Sequence, residues 1–265
     1  MIRVAIAGAR GRMGTEAVKA IKEASDMELV AILDYKNEGM YLDETIVSDN
    51  RGGCPIFTSF TKLTSSSKPD VLLDLTEPDA VFNNVRDAIK NGVRPVVGTS
   101  GLSVDNINLL TELAKKEQVG AIIAPNFSIG AVLMMKFSVM AARYLNDIEI
   151  IEMHHDQKMD APSGTAMKTA EMIMDVRNPH KQGHPDEKEH VEGARGADID
   201  GMKIHSVRLP GFLAHQKVLL GSQGEMLTLR HDSFDRKCFM PGIVLAIRNV
   251  MEQEELVYGL ENIID

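Results

Sequence analysis

The sequence has 265 residues, of which 44% are hydrophobic and 25% charged, a composition that fits one large or two modest globular domains and excludes extensive disorder. Its net charge of −9 argues against a broad nucleic-acid-binding surface. The two cysteines, Cys54 and Cys238, lie far apart in the sequence, so we expect neither a disulfide framework nor a metal site.

The N-terminus and the apolar runs indicate the cellular location. The first residues lead directly into an apolar run and glycines, without the basic segment and cleavage site of a signal peptide. No apolar run approaches the length that crosses a membrane. We therefore expect a cytoplasmic protein that has neither a membrane nor a nucleic acid as its partner.

A glycine-rich turn follows the first predicted strand. The apolar run that begins at Ile2 ends in Gly8, Gly11 and Gly14, and a helical pattern then extends over Thr15–Ala24. Small residues in such a turn let a pyrophosphate approach the backbone and the N-terminus of the helix. The spacing G-x-x-G-x-x-G is a weaker signal than G-x-G-x-x-G, so the strands that follow must support it.

A second strand, Glu28–Asp34, ends in a carboxylate about twenty residues beyond the glycine turn, where dinucleotide-binding folds hold the adenosine ribose. Tyr35 and Lys36 follow directly. The carboxylate favours NADH, whereas Lys36 offers a partner to the 2′-phosphate of NADPH. We therefore expect neither cofactor to be rejected.

Further strands alternate with helices as far as residue 124, which predicts a parallel sheet with ligands beyond the carboxyl ends of its strands. Residues 37–68 are the exception, and we expect mostly loop there, with a short strand near Ile56. The strand ends are expected to converge on one crevice, and they are marked by Gly8, Asp34, Thr76, Gly98, Thr99, Ser100, Asn126 and Phe127.

The pattern changes near Ile129. A helix, a strand over Ile148–Met153, a second helix, a polar loop over residues 177–200 and three further strands predict an α+β domain with an open, mixed sheet. A last helix, Pro241–Val250, is expected to return the chain to the first domain. His180, His184 and His190 of the polar loop lack the combination of carboxylate and cysteine neighbours at close ligand spacing, so we expect solvated side chains rather than a metal site.

The stretch Glu152–Ala166 concentrates chemically active residues. His154 and His155 stand at the end of a predicted strand, Lys158 follows, and Ser163 is placed to cap a new helix after Pro162. Histidines, a lysine and a helix N-terminus together predict a site for an anion such as a substrate carboxylate. The acidic residues of the strand, Asp147, Glu149 and Glu152, are expected on solvated strand edges or at an oligomer contact.

Four motifs in this order resemble the 4-hydroxy-tetrahydrodipicolinate reductase (dihydrodipicolinate reductase) family of bacterial lysine biosynthesis. The motifs are Val4–Gly14, Gly98–Gly101, Ala124–Gly130 and Glu152–Ala166. The resemblance implies NAD(P)H-dependent reduction of a small dicarboxylate, by hydride transfer followed by protonation. It also implies a Rossmann-like domain formed by residues 1–126 and 237–265, a substrate-binding and oligomerisation domain formed by residues 127–236, hinge closure, and a homotetramer.

The resemblance and the residue chemistry together give the expected site. The dinucleotide is expected to contact Gly8, Ala9, Arg10, Gly11, Arg12, Met13, Asp34, Tyr35, Lys36, Gly98, Thr99, Ser100, Ala124, Pro125, Asn126, Phe127 and Arg236. The substrate is expected to contact His155, Ser163, Gly164 and Thr165, and the resemblance gives His154 and Lys158 proton-donor roles. Tyr35-Lys36 stands where some members have an arginine, which leaves the cofactor preference open.

Two other functions remain open on the sequence. Another two-domain dehydrogenase, of the aspartate-semialdehyde or homoserine type, would share the first half of the pattern. The semialdehyde case needs a catalytic cysteine, and neither Cys54 nor Cys238 stands in a setting that activates a nucleophile. A dinucleotide-sensing regulator is disfavoured by the acidic charge and the lack of a recognition helix.

Overall fold

The computed structural model describes residues 1–43, 46–49 and 51–264. Glu44, Thr45 and Asn50, in the stretch predicted to be mostly loop, and Asp265, in the predicted first domain, lie outside the described residues. The chain forms two compact units, Met1–Ile129 with Phe239–Asp265, and Gly130–Cys238. None of the helices in the described part of the chain has the length and apolarity needed to span a bilayer.

The described residues alternate between strands and helices over most of the first unit, whereas the described strands between residues 27 and 57 and between residues 197 and 233 follow one another without a helix between them. The strands are β1 (Ile2–Ala7), β2 (Met27–Leu33), β3 (Tyr41–Asp43), β4 (Ile46–Ser48), β5 (Cys54–Phe57), β6 (Val71–Asp74), β7 (Arg94–Val97), β8 (Ala121–Ile123), β9 (Asp147–His154), β10 (Ala197–Ile199), β11 (Met202–Arg208), β12 (Ala214–Ser222), β13 (Glu225–Ser233) and β14 (Leu256–Tyr258). The helices are α1 (Arg12–Glu23), α2 (Phe60–Ser67), α3 (Pro78–Lys90), α4 (Val104–Glu117), α5 (Ile129–Ala142), α6 (Gly164–Met174) and α7 (Met240–Val250), with 3-10 turns at Arg236–Phe239 and Leu260–Asn262.

The first unit is built on a sheet whose described strands follow the order β14-β8-β7-β6-β1-β2-β5-β3-β4. The strands from β14 to β5 pair in parallel, and among the described strands of this sheet only β3 and β4 run antiparallel to all their neighbours. The central strands are apolar runs, and β6 is buried at every residue because helices cover both faces of such a sheet. The predicted Rossmann-like parallel sheet is confirmed.

The stretch predicted to be mostly loop contains more structure than the sequence indicated. It holds β3, β4 and a helix, α2, besides the strand near Ile56. The helix is rich in threonine and serine, and it contacts the core through Phe60 and Leu63, which are three residues apart and buried. The prediction that residues 37–68 are mostly loop was therefore wrong. Two apolar residues are too short a pattern to reveal a helix in the sequence.

The second unit contains a separate sheet, whose described strands follow the order β10-β11-β9-β12-β13. Strand β9 pairs in parallel with β11 and antiparallel with β12, so the predicted open, mixed sheet is confirmed. One face is apolar, with Ile148 and Ile150 of β9 fully buried, and α6 packs against this strand. Strand β13 differs, because most of its residues are exposed.

Candidate active site

The glycine turn after β1 brings backbone segments into direct contact. Gly8 has a φ of +82°, and a Cβ atom there would collide with the carbonyl group of Leu75 at the end of β6. A Cβ atom at Gly14 would collide with the backbone of Gly8 and Ala9. Gly11 is the N-cap of α1, so the cap residue has no side chain that could occupy the first backbone N–H groups of this helix. The turn therefore has the form that an anion-binding helix N-terminus requires.

A cavity of about 550 Å³ opens at the carboxyl ends of β1, β2 and β6. Its lining includes five of the predicted cofactor residues, namely Gly8, Arg10, Gly11, Asp34 and Tyr35. Thr76, predicted to mark a strand end at the crevice, also lines the cavity, and the lining residues that the sequence did not indicate are Leu33, Thr58, Phe60, Leu75, Glu77, Ala80, Asn84 and Asp87. The cavity has the size of a small-molecule site and lies where open α/β sheets bind their ligands.

Asp34 is held by Arg10. The guanidinium donates from Nε to Oδ2 at 2.5 Å and from Nη2 to Oδ1 at 3.0 Å, and the Asp34 side chain is only 5% exposed. Arg10 and Lys36 also lie over the exposed ring of Tyr35, 5.7 and 5.1 Å from its centroid. Hydrogen bonds from Lys36 and Arg10 lower the pKa of the Tyr35 hydroxyl. A carboxylate and two cations thus stand together around Tyr35, and two of these three groups, Asp34 and Arg10, line the cavity.

A second buried carboxylate, Asp74, organises the ends of β6 and β7. It is fully buried and accepts hydrogen bonds from the hydroxyls of Thr76 at 2.7 Å and Thr99 at 2.6 Å, and from the amide of Asn84 at 2.8 Å. The sequence reasoning missed Asp74, because it appears as the last letter of an apolar strand. It connects Thr99 of the predicted site to the strand that borders the cavity.

The other predicted cofactor residues of the first unit lie around this edge of the sheet. Gly98 packs so closely against Phe127 that a Cβ atom would stand 2.6 Å from its ring. Asn126 accepts a hydrogen bond from the backbone of Ser128 at 2.8 Å. Ala9 is buried, Ser100 and Pro125 are exposed, and Arg12 and Met13 begin α1. Arg236 stands in a 3-10 turn of the second unit.

The second unit carries the predicted substrate residues at the end of β9 and the start of α6. Ser163 caps α6, as predicted, and its hydroxyl accepts from the backbone N–H of Ala166 at 3.2 Å. Gly164 is exposed in the first turn and Thr165 follows it. Lys158 donates to the carboxylate of Asp160 at 2.6 Å. His155 and Lys158 lie in the loop between β9 and α6, and the anion site that the sequence indicated there stays a prediction.

Glu152 contradicts the expectation that it lies on a solvated edge. It is fully buried and accepts from Nδ1 of His154 at 2.6 Å, from the two terminal nitrogens of Arg208 at 2.9 and 2.7 Å, and from the backbone N–H of Ser163 at 3.2 Å. Burial raises the pKa of this carboxyl, but the hydrogen bonds from His154, Arg208 and Ser206 lower it more, to about 2. Alternation along the strand places Glu152 on the face of Ile148 and Ile150, a signal that could have found it.

The two other acidic residues of β9 lie nearer to solvent. Glu149 has a side chain that is 27% exposed, and it accepts from Arg195 at 2.7 Å and from His205 at 2.9 Å. Asp147 is 59% exposed and contacts His180, which the sequence placed in solvent. No group of three potential ligands for a metal ion occurs among the described histidines, cysteines and acidic residues.

Comparison with known proteins gives one consistent result. Residues 2–127 match the family model "Dihydrodipicolinate reductase, N-terminus" and residues 130–264 match "Dihydrodipicolinate reductase, C-terminus". The chain is 56% identical to the 4-hydroxy-tetrahydrodipicolinate reductases of Lysinibacillus sphaericus, over 99% of each chain, and of Bacillus pumilus, over 100% of this chain and 98% of the other. The solved structure of a dipicolinate-bound dihydrodipicolinate reductase from Paenisporosarcina sp. TG-14 is 56% identical over the full length of both chains, with a TM-score of 0.91.

Proposed function

We propose a reductase function from the premise that this chain belongs to the dihydrodipicolinate reductase family. It reduces 4-hydroxy-tetrahydrodipicolinate to tetrahydrodipicolinate in diaminopimelate and lysine biosynthesis, with a nicotinamide cofactor as the reductant. The observation that carries this function is the buried carboxylate of Glu152, which contacts both the ring of His154 and the backbone N–H of Ser163 at the start of α6, on either side of the loop that contains His155 and Lys158. The substrate is a small dicarboxylate, which the N-terminus of this helix suits.

The first unit fits a dinucleotide. The collisions that a side chain would cause at Gly8 and Gly14 show a turn pressed against its neighbours, which leaves the N-terminus of α1 open to a pyrophosphate. Residues Gly8 to Met13 contact the pyrophosphate in this proposal, and Gly98–Ser100, Ala124–Phe127 and Arg236 contribute the other cofactor contacts. The bound nicotinamide supplies a hydride, and the protein supplies its orientation.

Both NADH and NADPH serve as cofactors in this proposal, because the end of the cavity offers a partner to each. Asp34 accepts hydrogen bonds from the ribose hydroxyls of NADH, whereas Arg10 and Lys36 bind the 2′-phosphate of NADPH. Lys36→Ala therefore lowers kcat/KM for NADPH and leaves kcat/KM for NADH nearly unchanged. Steady-state kinetics with both cofactors test this preference, and an equal loss for both would contradict it.

The second unit holds and protonates the substrate. His155 and Ser163–Thr165 bind its carboxylates, with backbone N–H groups of α6 as donors. His154 and Lys158 provide the proton that follows hydride transfer. In the structure Lys158 contacts Asp160, whose side chain is 65% exposed, so the lysine exchanges a solvated partner for the substrate when the latter binds.

The protein assembles as a homotetramer in this proposal. Strand β13 forms an edge of the described sheet in the second unit, and it exposes Met226 and Leu227 to solvent. An exposed apolar edge strand is a template for pairing with another copy. Native mass spectrometry or light scattering measures the stoichiometry, and a monomer at micromolar concentration would contradict the assembly.

The function is tested with purified protein, NADH or NADPH, and enzymatically generated 4-hydroxy-tetrahydrodipicolinate. Loss of the absorbance of the reduced cofactor, dependent on substrate, is the expected result. Absence of turnover with both cofactors would remove the reductase function. A semialdehyde dehydrogenase is disfavoured, because burial raises the pKa of the Cys54 thiol to about 12 and keeps it protonated.

A further inference from the structure

We propose that Glu152 is the positioning residue of the substrate site: its carboxylate fixes the ring of His154 and the N-cap of α6 in one arrangement. This inference rests on the proposed function for its kinetic consequences. Its structural content, the orientation of one imidazole ring, is independent of that function.

The contact with His154 fixes which ring nitrogen carries a proton. The carboxylate oxygen of Glu152 stands 2.6 Å from Nδ1, and an ionised carboxylate only accepts hydrogen bonds, so Nδ1 carries the hydrogen. The opposite nitrogen, Nε2, is then left to accept a proton or, in the charged ring, to donate one. The His154 side chain is 16% exposed, so the ring retains access to solvent while its other edge is held.

The same carboxylate holds the start of the substrate-binding helix. Its Oε1 accepts from the backbone N–H of Ser163 at 3.2 Å, and the hydroxyl of Ser163 accepts from the N–H of Ala166. Two of the groups assigned to the substrate, the imidazole and the capped helix N-terminus, are therefore attached to opposite oxygens of one side chain. A shift of Glu152 moves both groups.

Arg208 completes the arrangement. Its two terminal nitrogens donate to both oxygens of Glu152, and one of them also donates to the backbone carbonyl of Asp160 at 2.8 Å. The guanidinium thus connects the buried carboxylate to the loop that follows Lys158. Bidentate contact of this kind fixes the orientation of a carboxylate as well as its position.

A neutral amide cannot replace this carboxylate. Arg208 donates to both oxygens and has no acceptor atom, so the NH₂ group of a glutamine would face a donor whichever way the amide is turned. Glu152→Gln therefore disturbs the site although it hardly changes the volume of the side chain. Glu149 offers a matched control, because it lies on the same strand and also accepts from a histidine and an arginine.

Nitrogen NMR of the histidine rings tests the proposal directly. The protein is labelled with ¹⁵N-histidine, the ring of His154 is assigned from the spectrum of His154→Ala, and the neutral tautomer is read from the shifts of its two nitrogens. In the unmodified protein we expect the hydrogen on Nδ1. In Glu152→Gln we expect a shift toward the Nε2–H form, and in Glu149→Gln no change. A His154 ring that carries its hydrogen on Nε2 in the unmodified protein would overturn the inference, even if the variant failed to fold.

Kinetics separate a positioning role from a merely structural one. We expect Glu152→Gln to lower kcat by roughly 10²-fold or more, which lies within the contribution of general acid–base catalysis, and Glu149→Gln to keep kcat within about twofold. In a protein that already carries His154→Ala, Glu152→Gln should lower kcat far less, because the ring that Glu152 orients has been removed. Full additivity of the two losses would contradict the proposal. If the unmodified protein turned over neither cofactor, the reductase function would fail, while the ring tautomer would still decide the role of Glu152.

Discussion

Strand β9 carries two clusters of the same composition, each formed by a glutamate, a histidine and an arginine. Glu152 binds His154 and Arg208, and Glu149 binds His205 and Arg195. Their positions differ by three residues, so the two carboxylates point to opposite faces of the sheet. The Glu152 side chain is inaccessible to solvent, whereas that of Glu149 is 27% exposed.

The two clusters contain the same types of residue, so the face of the sheet that carries the glutamate determines whether its partners are fixed in position. A buried carboxylate must have its hydrogen bonds satisfied, so its partners are fixed in position. A partly exposed one exchanges partners with water, and its ion pairs contribute little to stability. The buried cluster contacts the loop between β9 and α6 through Arg208 and Asp160, and the exposed cluster contacts the polar loop through Arg195 and Glu187.

The largest expected difference between the two ends of the strand is catalytic. We expect Lys158→Ala, beside the buried cluster, to lower kcat by roughly 10²–10⁴-fold, because a proton donor is lost. His205→Ala, in the exposed cluster, should leave kcat nearly unchanged. Steady-state rates at saturating substrate measure both, and near-normal turnover by Lys158→Ala would refute its assigned role.

The next difference is in stability. Arg208→Ala leaves the charge of Glu152 buried without its main partner, and we expect the free energy of unfolding to fall by about 3–5 kcal/mol. Arg195→Ala removes contacts with Glu149 and Glu187 and should cost about 0–1 kcal/mol. Urea denaturation measures the free energy of unfolding of both variants. Equal losses would contradict the difference between the two clusters.

Acid should weaken the buried cluster more than the exposed one. The pKa of Glu152 is about 2, below its ordinary value of 4.5, so its ionised form stabilises the folded protein above pH 4.5 and this stabilisation is lost as the pH falls toward 2. The full effect is on the order of 3 kcal/mol. The stability difference between the unmodified protein and Glu152→Gln should therefore shrink between neutral pH and about pH 3. For Glu149→Gln we expect a smaller change, and thermal unfolding across this range measures both.

The smallest expected effect concerns a methyl group. Among the described residues, a Cβ atom at Gly164 meets nothing within 4 Å, so Gly164→Ala should fold normally. The methyl group would nevertheless stand at the N-terminus of α6, and we expect KM for the dicarboxylate to rise by roughly tenfold, the equivalent of one hydrogen bond, with little change in kcat. Gly221→Ala, at the other end of the sheet, where a Cβ atom meets only ordinary contacts, is the control and should leave KM unchanged.

The sequence predicted the features that depend on neighbouring residues. The glycine turn after β1, the two sheets and the cap at Ser163 follow from local patterns, and each of these elements appears in the structure. The role of Asp74 was missed because this residue ends an apolar strand, and the role of Glu152 was missed because its arginine partner comes from a distant part of the chain. Arg208 lies 56 residues beyond Glu152, and only the pairing of β11 with β9 brings the two together.

The first unit is made from two separated segments of the chain, and this has a consequence for protein synthesis. The segment that begins at Phe239 supplies α7, which contacts α1, and β14, which pairs with β8. A ribosome releases the whole second unit before it releases this segment, so the second unit can fold first. Until then the nascent first unit presents β8 as an open strand edge, the kind of surface that aggregates and that chaperones bind.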